Sequence, residues 1–111
     1  MNRIPARNRA SSSTSQQAPV AEPSYPPIAD YAAIGDGRTV ALVSCEGAIE
    51  WLCLPHFSAP SVFAAMLDRN SGGQFAISPE LPYTSTRRYV DDTNVLETTH
   101  RTATGIVRIT D

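Results

Sequence analysis

Short runs of apolar and β-branched residues, separated by breaks that contain Gly, Pro or Asp, constrain the fold most strongly. Each run is too short for a typical helix, but has the length of a strand. Residues 34–37 (IGDG) predict a tight turn before the first run, because Gly tolerates the positive φ that such turns need. Residues 45–47 (CEG) separate the first two runs and have the length and composition of a hairpin loop. The pattern predicts six strands, over residues 39–44, 48–54, 74–78, 84–90, 94–101 and 106–110. This indicates a mostly β fold, an antiparallel β-sandwich that is incomplete.

One strand and one helix stand out in this pattern. In the strand over 48–54, Ile49, Trp51 and Cys53 share one face and leucines occupy the other, which predicts a position in the middle of the sandwich. Residues 58–68 instead show helical spacing of apolar side chains, with Pro60 in the first turn. We therefore expect one short helix between the second and third predicted strands.

The first 24 of the 111 residues differ in composition from the rest. They contain the polar run 11–17 (SSSTSQQ) between prolines, and no apolar period runs through them. Such a segment buries too little surface to offset its ordering entropy. We expect a disordered tail over 1–24 and one domain over 25–111, entered at Tyr25-Pro26-Pro27.

Charge and hydropathy exclude several classes of partner. The net charge is −2, with +2 on residues 1–24 and −4 on residues 25–111. An acidic body disfavours nucleic acid and anionic lipid as partners. The sequence contains no run of about 18 apolar residues, so no membrane-spanning helix is predicted. It also shows no apolar leader at its N-terminus, and a cytoplasmic location is therefore expected.

The two cysteines and two histidines predict neither a metal site nor a cofactor. Cys53 and His56 have the spacing of half a zinc site, but only Cys45 and His100 remain as further ligands. Cys45 lies in the hairpin loop, roughly 15–20 Å along the strand from Cys53. That separation also argues against a disulfide, and we expect Cys53 to be a buried apolar side chain.

The carboxylates form no recognisable acid/base pair. Asp91 and Asp92 are adjacent, which predicts a solvated turn, and Glu46 and Glu50 flank the hairpin loop, where solvation is again expected. A pair of catalytic carboxyl groups must face one pocket, and nothing in the spacing fixes such a pair. No catalytic residue is predicted.

Three residues remain as low-ranking candidates for contacts with a ligand or another domain: Trp51, His56 and Phe57. For Trp51, a position as an anchor of the apolar core is favoured over a role as a platform on which a sugar ring stacks. His56 lies on the loop over 55–59, either as a plain surface side chain or in reach of a neighbouring domain.

Three blocks in the same order resemble the opening of the family 15 glycoside hydrolases, the bacterial glucoamylase-like and trehalase-like members. The blocks cover nearly all of residues 25–111. They are YPPIADY and IGDGRTVALVS (25–31 and 34–44), GAIEWLCLP with Phe57 and PSVFA (47–64), and RY with DTNVLET (88–98).

The resemblance implies an N-terminal β-sandwich that precedes an (α/α)6 barrel. In the family, two glutamates of that barrel hydrolyse α-glucosidic bonds with inversion, and neither position exists in this chain. The resemblance therefore implies a truncated, non-catalytic part that packs against a barrel, in cis or in trans, and is inactive alone. An α-glucoside would be the other partner, and Trp51, His56 and Phe57 would be candidates for these contacts.

The sequence departs from the family pattern at Glu50, where aspartate is typical, and at His56 and Ser58-Ala59. Two alternatives stay open. One is a stand-alone β-sandwich that binds carbohydrate or a partner, for which Trp51, Tyr83 and Tyr89 would supply aromatic faces. The other is a gene remnant without function.

Overall fold

A computed structural model describes residues 24–111, which form two antiparallel sheets. The disorder predicted for 1–24 therefore falls, Ser24 apart, outside the described residues. A single turn of 3₁₀ helix, Ile28–Asp30, comes first. The first sheet has the order β1-β2-β3-β4, formed by Ala32–Gly35, Val40–Val43, Ile49–Cys53 and Ser61–Phe63. The second has the order β5-β6-β7, formed by Thr84–Tyr89, Leu96–Arg101 and Ile106–Thr110. The mostly β, antiparallel fold class is confirmed.

Two glycine-containing turns connect the first three strands of the first sheet. Asp36 accepts hydrogen bonds from the backbone N–H groups of Arg38 (2.9 Å) and Thr39 (3.1 Å), which closes the turn between β1 and β2. The predicted loop over 45–47 closes β2 onto β3, with Gly47 at φ 85°. Sequence reasoning identified both turns but missed β1, a four-residue strand that its pairing with β2 defines.

A β-bulge interrupts the pairing of β2 with β3. Leu42 pairs with Trp51, but the next residue of β2, Val43, pairs with Ile49. Glu50 is therefore the extra residue on β3. A bulge bends its strand and changes the direction of a side chain, and this one determines the surroundings of Glu50 described below.

The helix predicted over 58–68 is wrong. Ser61–Phe63 is instead β4, antiparallel to β3, and turns follow it. The backbone N–H of Ala64 donates to Gly72 (2.8 Å) and that of Met66 donates to Glu50 (3.0 Å), so these groups bond to distant segments rather than to the preceding turn. A two-turn helix is marginal by itself, and pairing with β3 replaces it.

The strand predicted over 74–78 is also not formed. Only one bridge occurs there, in which Ile49 and Phe75 exchange backbone hydrogen bonds of 2.8 and 3.0 Å. This bridge uses the border of β3 that faces away from β2, the same border on which β4 lies. The predicted strands over 39–44, 48–54, 84–90, 94–101 and 106–110 are confirmed, with ends shifted by up to two residues.

The apolar core lies between the two sheets and is small. Ala32 and Val43 of the first sheet and Leu96 of the second are buried, and Ile34 and Ile49 pack against them. Trp51 is half-buried and lies outside this cluster, so its interpretation as the core anchor is not supported. The middle position of β3 within its sheet is confirmed, but Leu54, just beyond its end, is 48% exposed.

Candidate functional site

A polar cleft of about 370 Å³ lies beside the bulge in β3. Its walls come from the segment before β1, the loop between β2 and β3, and residues 74–78. Arg69 and Tyr83 also line it. The cleft brings together three carboxylates, one guanidinium and two tyrosines, namely Asp30, Glu46, Glu50, Arg69, Tyr31 and Tyr83.

Glu50 is the buried charged group of this cleft, with 4% of its surface exposed. The Tyr31 hydroxyl donates to Glu50 Oε2 (2.6 Å), and Arg69 Nη1 lies 3.1 Å from Glu50 Oε1 in an ion pair. The prediction that Glu50 is solvated is wrong, because the bulge places its side chain among donors from other segments. The matching prediction for Glu46 is confirmed, since that residue is exposed.

The two tyrosines of the cleft are held neutral. Burial, and then the hydrogen bond to Glu50, raise the pKa of Tyr31 to about 12. Burial also raises the pKa of Tyr83, and so does its hydrogen bond to Glu46 Oε1 (3.1 Å). Both hydroxyls therefore act as donors to carboxylates throughout the neutral range of pH.

Tyr25 fixes the segment that carries Arg69. Its hydroxyl accepts a hydrogen bond from the backbone N–H of Arg69 (3.2 Å), and the guanidinium carbon lies 5.6 Å from the centre of its ring. A cation over an aromatic face is attracted by the ring quadrupole. Arg69 is therefore oriented from both sides, by Tyr25 and by Glu50.

The residues selected from the sequence lie elsewhere. His56 and Phe57 are exposed on the loop after β3, where Ser58 Oγ is 3.1 Å from His56 Nδ1 and the Phe57 N–H donates to Arg38 (3.1 Å). Trp51 is on β3 and pairs with Leu42. The structure thus brings His56 and Phe57 together on one loop, but none of the three lines the polar cleft. Their role as contacts stays a prediction.

Two of the three aromatic residues considered for sugar stacking, Tyr83 and Tyr89, make contacts within the protein. The Tyr89 hydroxyl bonds both the N–H and the carbonyl of Ala33 (3.0 and 2.8 Å), which joins the two sheets. The rings of Tyr83 and His100 pack edge to face, with centroids 4.8 Å apart. His100 itself is fully buried, with its Nδ1 2.8 Å from Ser85 Oγ.

A second surface, the β3 border surface, consists of the exposed apolar side chains in residues 54–77. Phe57 is 61% exposed and Leu67 68%. Val62 on β4 and Phe75 in the bridge flank the same border of β3, and both are half-exposed. The surface is defined by Leu54, Phe57, Val62, Leu67, Phe75 and Ile77. Large apolar side chains that are this exposed are candidates for contact with a partner.

The cysteines and the Asp91-Asp92 pair follow the sequence prediction. Cys53 is buried and Cys45 exposed, and both are free thiols. Asp91 and Asp92 are exposed in the turn between β5 and β6, where Asp92 has φ 62°. Residues 24–111 contain no cluster of three side chains that would hold a metal ion. In the same residues no helix is long and apolar enough to cross a membrane, and the cytoplasmic location stays a prediction.

Comparison with known proteins shows which family the chain matches. The family described as trehalase-like, N-terminal, matches residues 16–109. The chain is 44% identical to a trehalase of Mycobacterium tuberculosis over 98 residues, which cover 87% of the chain and 14% of that relative. It is 43% identical to trehalases of Mycolicibacterium smegmatis and Thermoplasma volcanium, each over 78% of the chain and 13–14% of the relative. The chain thus spans about a seventh of the length of these relatives. No solved structure matches it.

Proposed function

Since the chain belongs to the family of trehalase-like N-terminal domains, we propose that it is the non-catalytic part of a trehalase-type glycoside hydrolase. In this role it packs against an (α/α)6 catalytic barrel, in cis or in trans, and supports that barrel. The observation that carries the proposal is the match of 78–87% of the chain to only 13–14% of much longer trehalases. The catalytic groups of such an enzyme then belong to the remainder.

The β3 border surface is the proposed docking face. Phe57 and Leu67 are more than half exposed, although each side chain contributes roughly 1.5–3 kcal/mol when fully buried. A partner that covers Phe57 and Leu67 recovers this free energy. His56, on the same loop as Phe57, lies at the edge of the proposed contact. Trp51, which is half-buried on β3, stays a further candidate for this contact.

We assign trehalose as the substrate of the parent enzyme, in preference to maltooligosaccharides, because the relatives that support the proposal are named trehalases. The 111-residue chain alone is expected to release no glucose from trehalose. Measurable release by the purified chain would overturn the proposal.

A chimera tests the docking role directly. The matched segment of the M. tuberculosis trehalase is replaced by residues 16–109 of this chain, and a second version lacks the segment. We expect the chimera to hydrolyse trehalose and to melt cooperatively, and the shortened enzyme to lose both properties. Equal activity of the two proteins would contradict the supporting role.

Two matched substitutions in the chimera locate the docking face. Phe57→Asp places a charge in the proposed contact and should lower the melting temperature and the activity. Val95→Asp changes another exposed apolar side chain, in the turn between β5 and β6, and should leave both unchanged. If the two variants behave alike, the β3 border surface is not the docking face.

A further inference from the structure

We propose that the free side of β7 binds an extended polypeptide segment of a partner, in which acidic residues alternate with apolar ones. The segment adds to the second sheet as a further strand beside β7. This site is separate from the proposed docking face, because β7 belongs to the second sheet and the β3 border surface lies on the first. The inference does not rest on the docking role, and each can fail without the other.

The backbone of β7 directs hydrogen-bonding groups to this free side. Leu96 and Asp111 exchange backbone hydrogen bonds of 3.0 and 2.9 Å, and the pairing of β6 with β7 continues from there without a shift in register. In an antiparallel pair every second residue is hydrogen-bonded to the partner strand, so Val107 and Ile109 bond to β6. The N–H and C=O groups of the alternate residues point away from β6, and these residues are Ile106, Arg108 and Thr110.

The edge formed by β7 is open in the part of the chain that the structure describes. Among residues 24–111, β7 pairs only with β6. The strand contains neither a proline nor a bulge, two features that protect many edge strands from pairing. Such an edge is a template for strand addition, in which main-chain hydrogen bonds give affinity and alternate side chains give selectivity.

One face of β7 selects apolar side chains. Val107 and Ile109 pair with His100 and Thr98, which are fully buried against the first sheet, so all four side chains lie on the inner face. Val107 is nevertheless 46% exposed. Apolar side chains at alternate positions of an added strand extend this inner face and remove Val107 from water.

The opposite, outer face of the sheet selects acidic side chains. It carries Arg108 on β7 and Arg101 on β6, both exposed. Among the described residues neither guanidinium is in an ion pair, whereas Arg88 on the same face pairs with Glu97 (2.9 Å). The two free arginines stand out on a body whose net charge is −4 over residues 25–111. Carboxylates of an added strand, opposite or diagonal to Arg108, therefore form favourable cross-strand pairs.

Other occupants fit this edge less well. In the symmetric antiparallel register that pairs all five residues of a second β7, Arg108 lies opposite its own copy, and like charges in that position destabilise the pair. A strand that is apolar on both faces covers part of Arg108 without giving it a counter-charge. The segment with alternating acidic and apolar residues satisfies the backbone and both faces.

The test is amide hydrogen exchange, followed by NMR on the ¹⁵N-labelled 111-residue chain with the peptide acetyl-Val-Glu-Val-Glu-Val-amide. With a Kd on the order of 1 mM, about 10 mM peptide should slow the exchange of the Ile106, Arg108 and Thr110 amides by about tenfold. The Val107 and Ile109 amides already bond to β6 and should change less. This alternation distinguishes an added strand from a general stabilisation of the domain.

A peptide of opposite charge and two matched variants test the selectivity. The peptide acetyl-Val-Lys-Val-Lys-Val-amide should bind about tenfold more weakly to the parent chain, and Arg108→Glu should reverse this preference. Arg108 is exposed, so this variant should remain folded. Arg38→Glu is the control, because Arg38 is exposed in the turn between β1 and β2, and it should keep the preference of the parent chain.

Four results would overturn the inference. The first is no protection of any amide at tens of millimolar acidic peptide, and the second is protection that does not alternate along β7. The third is an equal preference for the two peptides, or the same behaviour of Arg108→Glu and Arg38→Glu. The fourth is protection of the same amides without peptide as the protein concentration rises, which would assign the edge to a second copy of the chain.

Discussion

At the scale of the residue, the burial of Glu50 costs free energy but fixes the positions of the side chains around it. Removing a carboxylate from water costs several kcal/mol, and an ion pair recovers this only when the geometry is good and further hydrogen bonds are made. Tyr31 and Arg69 supply these bonds, and Tyr25 orients Arg69. Glu50 therefore adds little net stability, but it fixes the arrangement of four side chains around the cleft.

Removal of the Glu50 carboxylate should be clearly destabilising. Glu50→Ala leaves the Tyr31 hydroxyl and the Arg69 guanidinium without their partner, and we expect a loss of about 1–3 kcal/mol in the free energy of unfolding. The value stays below that of a fully buried pair because the Arg69 side chain is 25% exposed. Urea unfolding measures it, with Glu80→Ala as the exposed control, expected within about 0.5 kcal/mol of the parent. Equal losses for both variants would contradict the role assigned to Glu50.

Tyr31 should make the fold sensitive to alkali. Its pKa is about 12 in the folded chain, against 10.0 for a free tyrosine. The contribution of neutral Tyr31 to stability is therefore complete below pH 10 and is lost as the pH rises towards 12. Ultraviolet titration should show late phenolate formation at Tyr31 as well as at Tyr83, whose pKa is also raised, and Tyr31→Phe should remove the phase that ends near pH 12. An unchanged titration curve in Tyr31→Phe would contradict the assignment to Tyr31.

At the scale of the element, the loop between β2 and β3 does more than reverse the chain. Gly47 has φ 85°, a conformation that residues with a Cβ adopt at a cost. A Cβ on Gly47 would also lie 3.0 Å from Thr98 Cγ2 on β6, so the loop is in close contact with the second sheet. The glycine is thus needed for the hairpin and for the approach of the two sheets.

Two alanine substitutions separate these requirements. Gly37 has a similar φ of 87°, and a Cβ added there would have no atom within 4 Å. Gly37→Ala should therefore lower the free energy of unfolding only by the cost of the backbone conformation, about 1–2 kcal/mol. Gly47→Ala should cost roughly 1–3 kcal/mol more, because it also overpacks Thr98. Thermal or urea unfolding of the two variants measures the difference. If the two losses are the same, the contact with Thr98 does not limit the packing of the sheets.

At the scale of the whole molecule, polar side chains of β5 strengthen the contact between the sheets. The buried apolar cluster is small, with Ala32, Val43 and Leu96 at its centre. Arg87 donates to the carbonyl of Val43 (2.7 Å) and to that of Asp30, and Tyr89 bonds both backbone groups of Ala33. Hydrogen bonds from a charged donor are worth more than neutral ones, so these contacts contribute to the alignment of the two sheets.

Loss of the Arg87 contacts should weaken the whole domain. Arg87→Met keeps much of the side-chain length but leaves two carbonyl groups without their donor, and we expect a loss of about 1–3 kcal/mol. Arg108→Met is the matched control, because Arg108 is exposed on β7. Chemical unfolding, followed at probes in both sheets, checks the loss and its cooperativity. A change no larger than that of the control would mean that the apolar cluster alone holds the sheets.

Much of the fold could be predicted from local patterns, and the site could not. The hairpin loop over 45–47, the turn at Asp36 and the strands after residue 84 follow from glycine positions and alternating side chains, which act over a few residues. Glu50 offered one usable signal, a carboxylate inside an otherwise apolar run, which is typical of a buried and paired charge. Its partners Tyr31 and Arg69 are each 19 residues away, and no local pattern connects them.

The sequence by itself determined the fold class, the two turns of the first sheet and membership of the family, because each depends on residue types in a fixed order along the chain. Only the tertiary structure decided that residues 61–63 form β4 rather than a helix, that Glu50 is buried, and that a cleft forms beside it. The physical reason is the same in all three cases. The deciding hydrogen bonds, such as Met66 N–H to the Glu50 carbonyl, join segments far apart in sequence and form only once both are in place.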